Sequence, residues 1–463
     1  MQEATLYERP SANETLGLNL AEDLLRDPQT ALLKSALRKL TDHEPAYWDF
    51  SAIGQNENSF AYFQYPAMMV PRMQGDIINA IRTVVPIGTC IDPFVGSGTT
   101  LVEALKRGIQ PIGFDVNPMA LLLCQVKTTP FDVKAVEAAF ETVLEAAASD
   151  QSVDIVLNYE NRDKWFSKTA LIELSRLHRA ICRIEKLSER KVLWVAFAEA
   201  VRISCNSRTS TYKLHIRSQD DIKRREPDLP TRIQDAIMRV LRLYKKNAKE
   251  LEEAGLVTGG KFSTEAVVAL HDVREPLMVG KADLLISSPP YGDNHTTITY
   301  GQHSFLPLKW IPANDIAEGV ELAVSNTHTI DSHSIGGLLT GVLAKGPAVR
   351  AKSVILDEFL KGDRLNDHAR KRVIAFFHDL ELALANAIGM LGPKAPIVLT
   401  LGNRNVAGVR VPTDVIVREL LEWNGCSFVD THNRVIPTKR MAHRNKTATT
   451  MLTETLLVMR ARA

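Results

Sequence analysis

The stretch Asp92-Pro93-Phe94-Val95-Gly96-Ser97-Gly98-Thr99-Thr100 constrains the fold more than any other in the chain. The β-branched apolar run before it, Val84 to Ile91, reads as a buried strand, and Thr99 to Lys106 reads as an opening helix. A glycine turn between strand and helix lets backbone approach a ligand that any Cβ would hold away. It also aims unpaired N–H groups at the ligand's negative end. The next strand, Gln110 to Phe114, ends in Asp115, about two dozen residues after Asp92, where an α/β nucleotide site places the carboxylate that accepts ribose hydroxyls. The pairing points to a nucleoside-type cofactor.

Three motifs together narrow the reading. DPFVGSGTT, then Ile112-Gly113-Phe114-Asp115-Val116-Asn117-Pro118, then Ser288-Pro289-Pro290-Tyr291 resemble the motifs of S-adenosylmethionine-dependent DNA methyltransferases that act on exocyclic amino groups. The resemblance covers residues 63–117 and 265–460 and implies an α/β fold: a doubly wound, mostly parallel seven-stranded sheet. It implies S-adenosylmethionine as cofactor, held by Tyr65 and Pro66 at the methionine end, by the turn residues Asp92, Phe94, Gly96, Ser97, Gly98, Thr99 and Thr100, by Asp115 at the ribose, and by Asp272 at the adenine amino group. It also implies double-stranded DNA with a flipped target base as partner, and leaves room for a companion restriction endonuclease.

The residues Ser288, Pro289, Pro290 and Tyr291 suit amine methylation for a physical reason. An exocyclic amine is a poor nucleophile because its lone pair is delocalised into the ring. Two fixed acceptors, the Ser288 hydroxyl and the Pro289 carbonyl, would draw the nitrogen toward tetrahedral geometry and free that pair. Consecutive prolines offer no N–H and hold the turn rigid, so positioning supplies much of the rate. A base must leave the duplex at a cost of about a few kcal/mol, and stacking on Tyr291 returns roughly 1–3 kcal/mol. Phe94 and Tyr291 would lie near the sulfonium, where an aromatic face attracts a cation. Within the resemblance, Ser before Pro-Pro-Tyr goes with cytosine N4, and Asp or Asn with adenine N6. No Pro-Cys dipeptide of the kind used for carbon-5 methylation is present.

A chain of 463 residues holds a catalytic domain and a large insertion. We divide it into an N-terminal arm (1–55), a cofactor-binding part (56–125), a mostly helical insertion (126–263) and a catalytic part (264–463). The arm carries one helix, Gln29 to Leu40, and an aromatic knot of Tyr47, Trp48 and Phe50. The insertion is a candidate for target recognition. Its middle, Asn206 to Arg217, is polar and basic and suits phosphates, and a solvated loop without function reads equally well. Residues 326–365, rich in Ser, Thr, Gly and Lys, read as a mobile DNA-facing loop. A second basic cluster joins Arg434, Lys439, Arg440, Arg444 and Lys446 with His443 and Asn445.

The net charge of +2 does not by itself announce a nucleic-acid partner. Cys90, Cys124, Cys182, Cys205 and Cys426 form no CxxC pair and read as buried thiols in a reducing compartment, without a metal. No run is long and apolar enough for a bilayer, so a cytoplasmic protein without a membrane partner is expected. Three other readings stay open: an adenine-N6 enzyme, a tRNA or rRNA amino methyltransferase, and an inactive DNA-binding subunit.

Overall fold

The protein is described by a computed structural model over residues 27–42, 61–128, 132–276, 280–294, 297–436 and 453–462. The aromatic knot at Tyr47, Trp48 and Phe50 lies outside the described residues. So do Lys439, Arg440, His443, Arg444, Asn445 and Lys446.

The first helix among the described residues, α1 (Pro28–Asp42), leads to α2 (Pro71–Arg82), β1 (Thr89–Asp92), α3 (Thr99–Leu105), β2 (Gln110–Asp115) and α4 (Pro118–Thr128). The insertion supplies α5 (Val133–Ser149), α6 (Lys168–Ile181), α7 (Leu187–Ser204) and α8 (Leu229–Glu253). The chain then returns through β3 (Val267–Leu270), β4 (Leu284–Ser287) and α9 (Tyr300–Trp310). Helices α10 (Val342–Arg350), α11 (Val354–Lys361) and α12 (Asp367–Gly389) precede β5 (Pro396–Gly402), α13 (Thr413–Trp423), β6 (Ser427–Val435) and β7 (Thr453–Arg460).

The seven strands form one sheet in the order β6-β7-β5-β4-β1-β2-β3. Strand β7 runs antiparallel to both neighbours, and the remaining pairs are parallel. Because strand side chains alternate, Cys90, Leu284, Ile286, Val398 and Val458 face α1 and α2, while Ile91, Leu285, Ile397, Leu399 and Leu457 face α12 and α13. Both faces are thus buried, as the apolar strands require. This is the α/β methyltransferase sheet that the motifs lead one to expect. It places the ends of β1, β2, β3 and β4 along one edge, on either side of the point where the strand order reverses.

Three expectations are corrected. Strand β1 begins at Thr89 rather than Val84, because Val84 and Val85 still donate to Ile81 O, closing α2, and Pro86 has no N–H to give a neighbouring strand. Residues 326–365 are helical segments, not a loop. Two of the residues that suggested a loop start helices: Ser353 Oγ accepts from Leu356 N at 3.0 Å ahead of α11, and Gly341 takes a left-handed conformation ahead of α10. Between the caps, Val342, Val349, Leu356 and Leu360 are buried in the core around α12. Cys182 is exposed, whereas the other four thiols are buried.

The insertion is no separate appendage. Its buried side chains, among them Leu193, Trp194, Phe197 and Tyr244, share one continuous core with α4, α9 and Tyr65. The arm helix α1 is tied to the opposite end of the sheet by Arg38 to Asp430 at 2.6 Å and Arg460 to Asp27 at 2.7 Å. Among the described residues, no helix is long and apolar enough to cross a membrane.

Candidate active site

A cleft opens at the strand ends, lined by residues of both turns. Of the residues singled out in the sequence, Tyr65, Phe94, Gly96, Ser97, Thr99, Asp115, Asp272, Ser288 and Pro290 line it. Pro66, Asp92, Gly98, Thr100, Pro289 and Tyr291 do not. The glycine turn and the Ser-Pro-Pro turn therefore face one shared space.

The two glycines of the first turn have different jobs. Gly96, at φ +51°, borders the cleft, and a Cβ there would stand 3.6 Å from the Tyr65 ring. Gly98, at φ +81°, packs against α4, where a Cβ would meet Cys124 Sγ at 2.9 Å. Both conformations favour glycine, but only Gly96 keeps room for a ligand. The turn's amides are largely spent within the protein. Val95 N donates to Phe114 O, Gly96 N to Asp115 Oδ2 and Gly98 N to Val95 O, so these three are not the unpaired donors that the sequence leads one to expect.

Asp92 sits behind the turn, fully buried. Its Oδ1 accepts from Ser287 Oγ at 2.5 Å and from Phe94 N at 3.1 Å, which locks the end of β1 to the end of β4. Asp115 accepts from Gly96 N at 2.9 Å and Asn117 N at 2.8 Å, and so shapes the turn while lining the cleft. Burial pushes both carboxyls up to about 6. Asp272 moves the other way: although burial opposes it, hydrogen bonds from Arg274 hold its carboxyl below the usual range. Arg274 also reaches Asp379 on α12 and His333 O, which fastens the end of β3 to the short helical segment over the cleft.

Residues to which the motifs assign no role complete the site: Asn117, within the second motif, lines the cleft, and Lys127 supports the glycine turn from behind. Asn117 Nδ2 donates to Tyr65 Oη at 3.1 Å and to Ser304 Oγ on α9, and its Oδ1 accepts from Met119 N. An Asn immediately before Pro is a helix-start signal that could have found it. Lys127 is buried on α4 and donates to Ser97 O at 2.6 Å, and burial pushes its ammonium down to about 8. Nothing in its sequence context marks it. Tyr300, His333 and Asn294 also line the cleft.

The Ser-Pro-Pro-Tyr turn is held from three sides. Ser288 Oγ donates to Tyr291 Oη at 3.2 Å and lies 3.3 Å from Thr400 O. Tyr291 Oη donates to Glu454 Oε1 at 3.0 Å. Asp293, fully buried, binds Arg372 at 2.6 Å and Arg404 at 3.2 Å, anchoring the segment that follows. A turn so pinned presents Ser288 and Pro290 to the cleft as fixed surfaces.

Likeness to proteins named methyltransferases supports an enzyme of the methyltransferase kind. The chain is 25% identical to the Type II methyltransferase M.MvaI of Kocuria varians, over 95% of this chain and 98% of that protein. It is 36% identical to the Type II methyltransferase M.MjaII of Methanocaldococcus jannaschii over 78 residues, 17% of this chain and 12% of that one. Among solved structures, the rRNA methyltransferase aviRa from Streptomyces viridochromogenes aligns with 85% of this chain and 86% of its own at 13% identity and a TM-score of 0.26. No protein-family model matches the chain.

Proposed function

We propose that this chain transfers the methyl group of S-adenosylmethionine to the N4 amine of cytosine in double-stranded DNA, as the modification enzyme of a restriction-modification or phage-defence system with a companion endonuclease. One observation carries the reading: Gly96 and Ser288 border the same cleft. The likeness to two proteins named Type II methyltransferases supports it.

The residues present fit the cofactor. The buried Asn294 Oδ1 has no hydrogen-bond partner among the described residues and belongs to the cleft wall, Gly96 keeps the wall open, and Asp115 and Asp272 offer carboxylates at two strand ends. Bound there, the cofactor supplies an electrophilic methyl on a sulfonium. Tyr65 and the glycine turn would hold its methionine end, Asp115 its ribose and Asp272 its adenine. The Ser288 hydroxyl would accept from the flipped amine, with Pro290 beside it in the cleft wall, while Pro289 and Tyr291, which do not line the cleft, would act from behind that wall.

Methylating mixed duplex DNA and RNA with the full chain, digesting to nucleosides and weighing the products tests this reading. N4-methylcytosine from DNA is the expected product. N6-methyladenine would move the target, methylated RNA alone would move the substrate, and cofactor binding without transfer would mark an inactive subunit.

The insertion's basic loop is the proposed phosphate-binding element. Asn206 to Arg217 folds back on itself through the Ser207–Ile216 bridge. It leans on α9 through Tyr212 against His303 and Leu214 N to Gln302. Arg208 and Lys213 are exposed on it, beside the helix whose Tyr300 lines the cleft. Replacing both by alanine should weaken binding of all duplexes alike and flatten the plot of log affinity against log salt by about 0.9 for each phosphate no longer neutralised. An unchanged slope would remove this loop from the interface.

A further inference from the structure

The target amine needs a particular direction of hydrogen bonding at Ser288, and that direction is set from outside the cleft. A serine hydroxyl has one proton and two lone pairs. To draw an amine toward tetrahedral geometry, Ser288 must accept from the amine and must not donate to the lone pair that attacks. Its proton therefore has to point elsewhere.

Two acceptors stand behind it, Tyr291 Oη at 3.2 Å and Thr400 O at 3.3 Å, and neither residue lines the cleft. A phenol could equally donate to Ser288 and consume one of its lone pairs. Glu454 at the start of β7 prevents this. Its carboxylate, ion-paired with Arg434, accepts from the phenol at 3.0 Å and so claims the phenol's single proton. The other carboxylate oxygen accepts from Arg434 Nε, across the β6–β7 pair, at 2.7 Å, which keeps the carboxylate from turning away. Burial and the neighbouring carboxylate also push the Tyr291 hydroxyl well above its usual range, so the proton stays in place.

Resting on the methyl-transfer reading above, we propose that Glu454 is a positioning residue that, through Tyr291, orients the Ser288 hydroxyl as an acceptor toward the target amine.

The proposal makes an unusual demand of the variants. In Glu454→Gln, Arg434 still requires an oxygen, so the carboxamide must turn its NH₂ toward Tyr291. The phenol then loses its acceptor and rotates its proton onto Ser288. In Tyr291→Phe there is no proton to reverse, and Thr400 O alone directs Ser288. Single-turnover methyl transfer to duplex DNA should therefore fall about tenfold in Glu454→Gln, the order that one hydrogen bond commands. Cofactor affinity should be unchanged. Adding Tyr291→Phe to Glu454→Gln should restore the rate to that of Tyr291→Phe alone.

A Glu454→Gln rate equal to wild type overturns the relay, and so does a loss that persists undiminished once the phenol hydroxyl is gone. In either case an active wild-type protein leaves the methyl-transfer reading standing. A wild-type protein that methylates no DNA overturns that reading and the relay with it.

Discussion

Ser288→Ala should lower single-turnover methyl transfer by about 10²- to 10³-fold, the loss typical of deleting one preorganised hydrogen-bond partner in an active site. The side chain is small and sits at a strand end, where among the described residues its hydroxyl bonds Tyr291 and Thr400 O. Removing it therefore leaves the sheet and the glycine turn intact, and cofactor affinity should stay within about threefold of wild type, since that turn is anchored separately through Asp92 and Asp115. The two measurements belong together: equilibrium binding of the cofactor, and methyl groups counted on duplex DNA in one turnover. A variant with full turnover would strip Ser288 of its role as acceptor. One that also lost cofactor binding would show that the mutation disturbs the whole cleft rather than the amine.

Much of this site can be read from the chain, because its parts are local. A strand, Gly96 and Gly98, and a helix are adjacent in sequence, and Asp115 ends the next strand, so their meeting at one edge follows from right-handed crossover connections alone. The pairing of this turn with Ser288 is longer in range, and it rests on the likeness of three motifs rather than on any periodicity. What is not legible is of two kinds. The polar stretch 326–365 carries the composition of a loop, yet Gly341 and Ser353 start short helices whose apolar residues reach the core only once α12 is in place. The supports of the site are the other kind. Lys127 beneath Ser97, Asp293 between Arg372 and Arg404, and Glu454 behind Tyr291 act through partners that in most cases lie far along the chain, and a single side chain of ordinary type gives no local signal of that.

Asp115→Asn should weaken cofactor binding about 100-fold and abolish a pH dependence that the wild-type protein shows. The loss is that of charge-assisted hydrogen bonds to ribose hydroxyls, each about 1.5–3 kcal/mol, with tenfold in affinity for about 1.4 kcal/mol. The sign of the pH effect follows from the raised carboxyl. Burial lifts Asp115 to about 6, so the acceptor form is complete only above that value. Wild-type affinity should be level near pH 8 and fall about tenfold per unit once the pH drops well below 6. In the cofactor-free protein the same group acts in the opposite sense. A folded carboxyl raised above its ordinary value of 3.8 contributes stability that is fully present below 3.8 and is lost as the pH climbs through about 6. The fold thus gives up stability at neutral pH to hold ready the charge that the ribose requires. Asp92 rises to about 6 as well, and its charge helps to raise Asp115, so the variant also identifies the titrating group. If Asp115→Asn binds the cofactor weakly but keeps the full acid fall in affinity, the titration belongs to Asp92. Should it bind as tightly as wild type at every pH, neither the Asp115 charge nor its paired bonds to Gly96 N and Asn117 N, one of which a carboxamide must give up, matter to the cofactor, and the ribose is held elsewhere in the cleft.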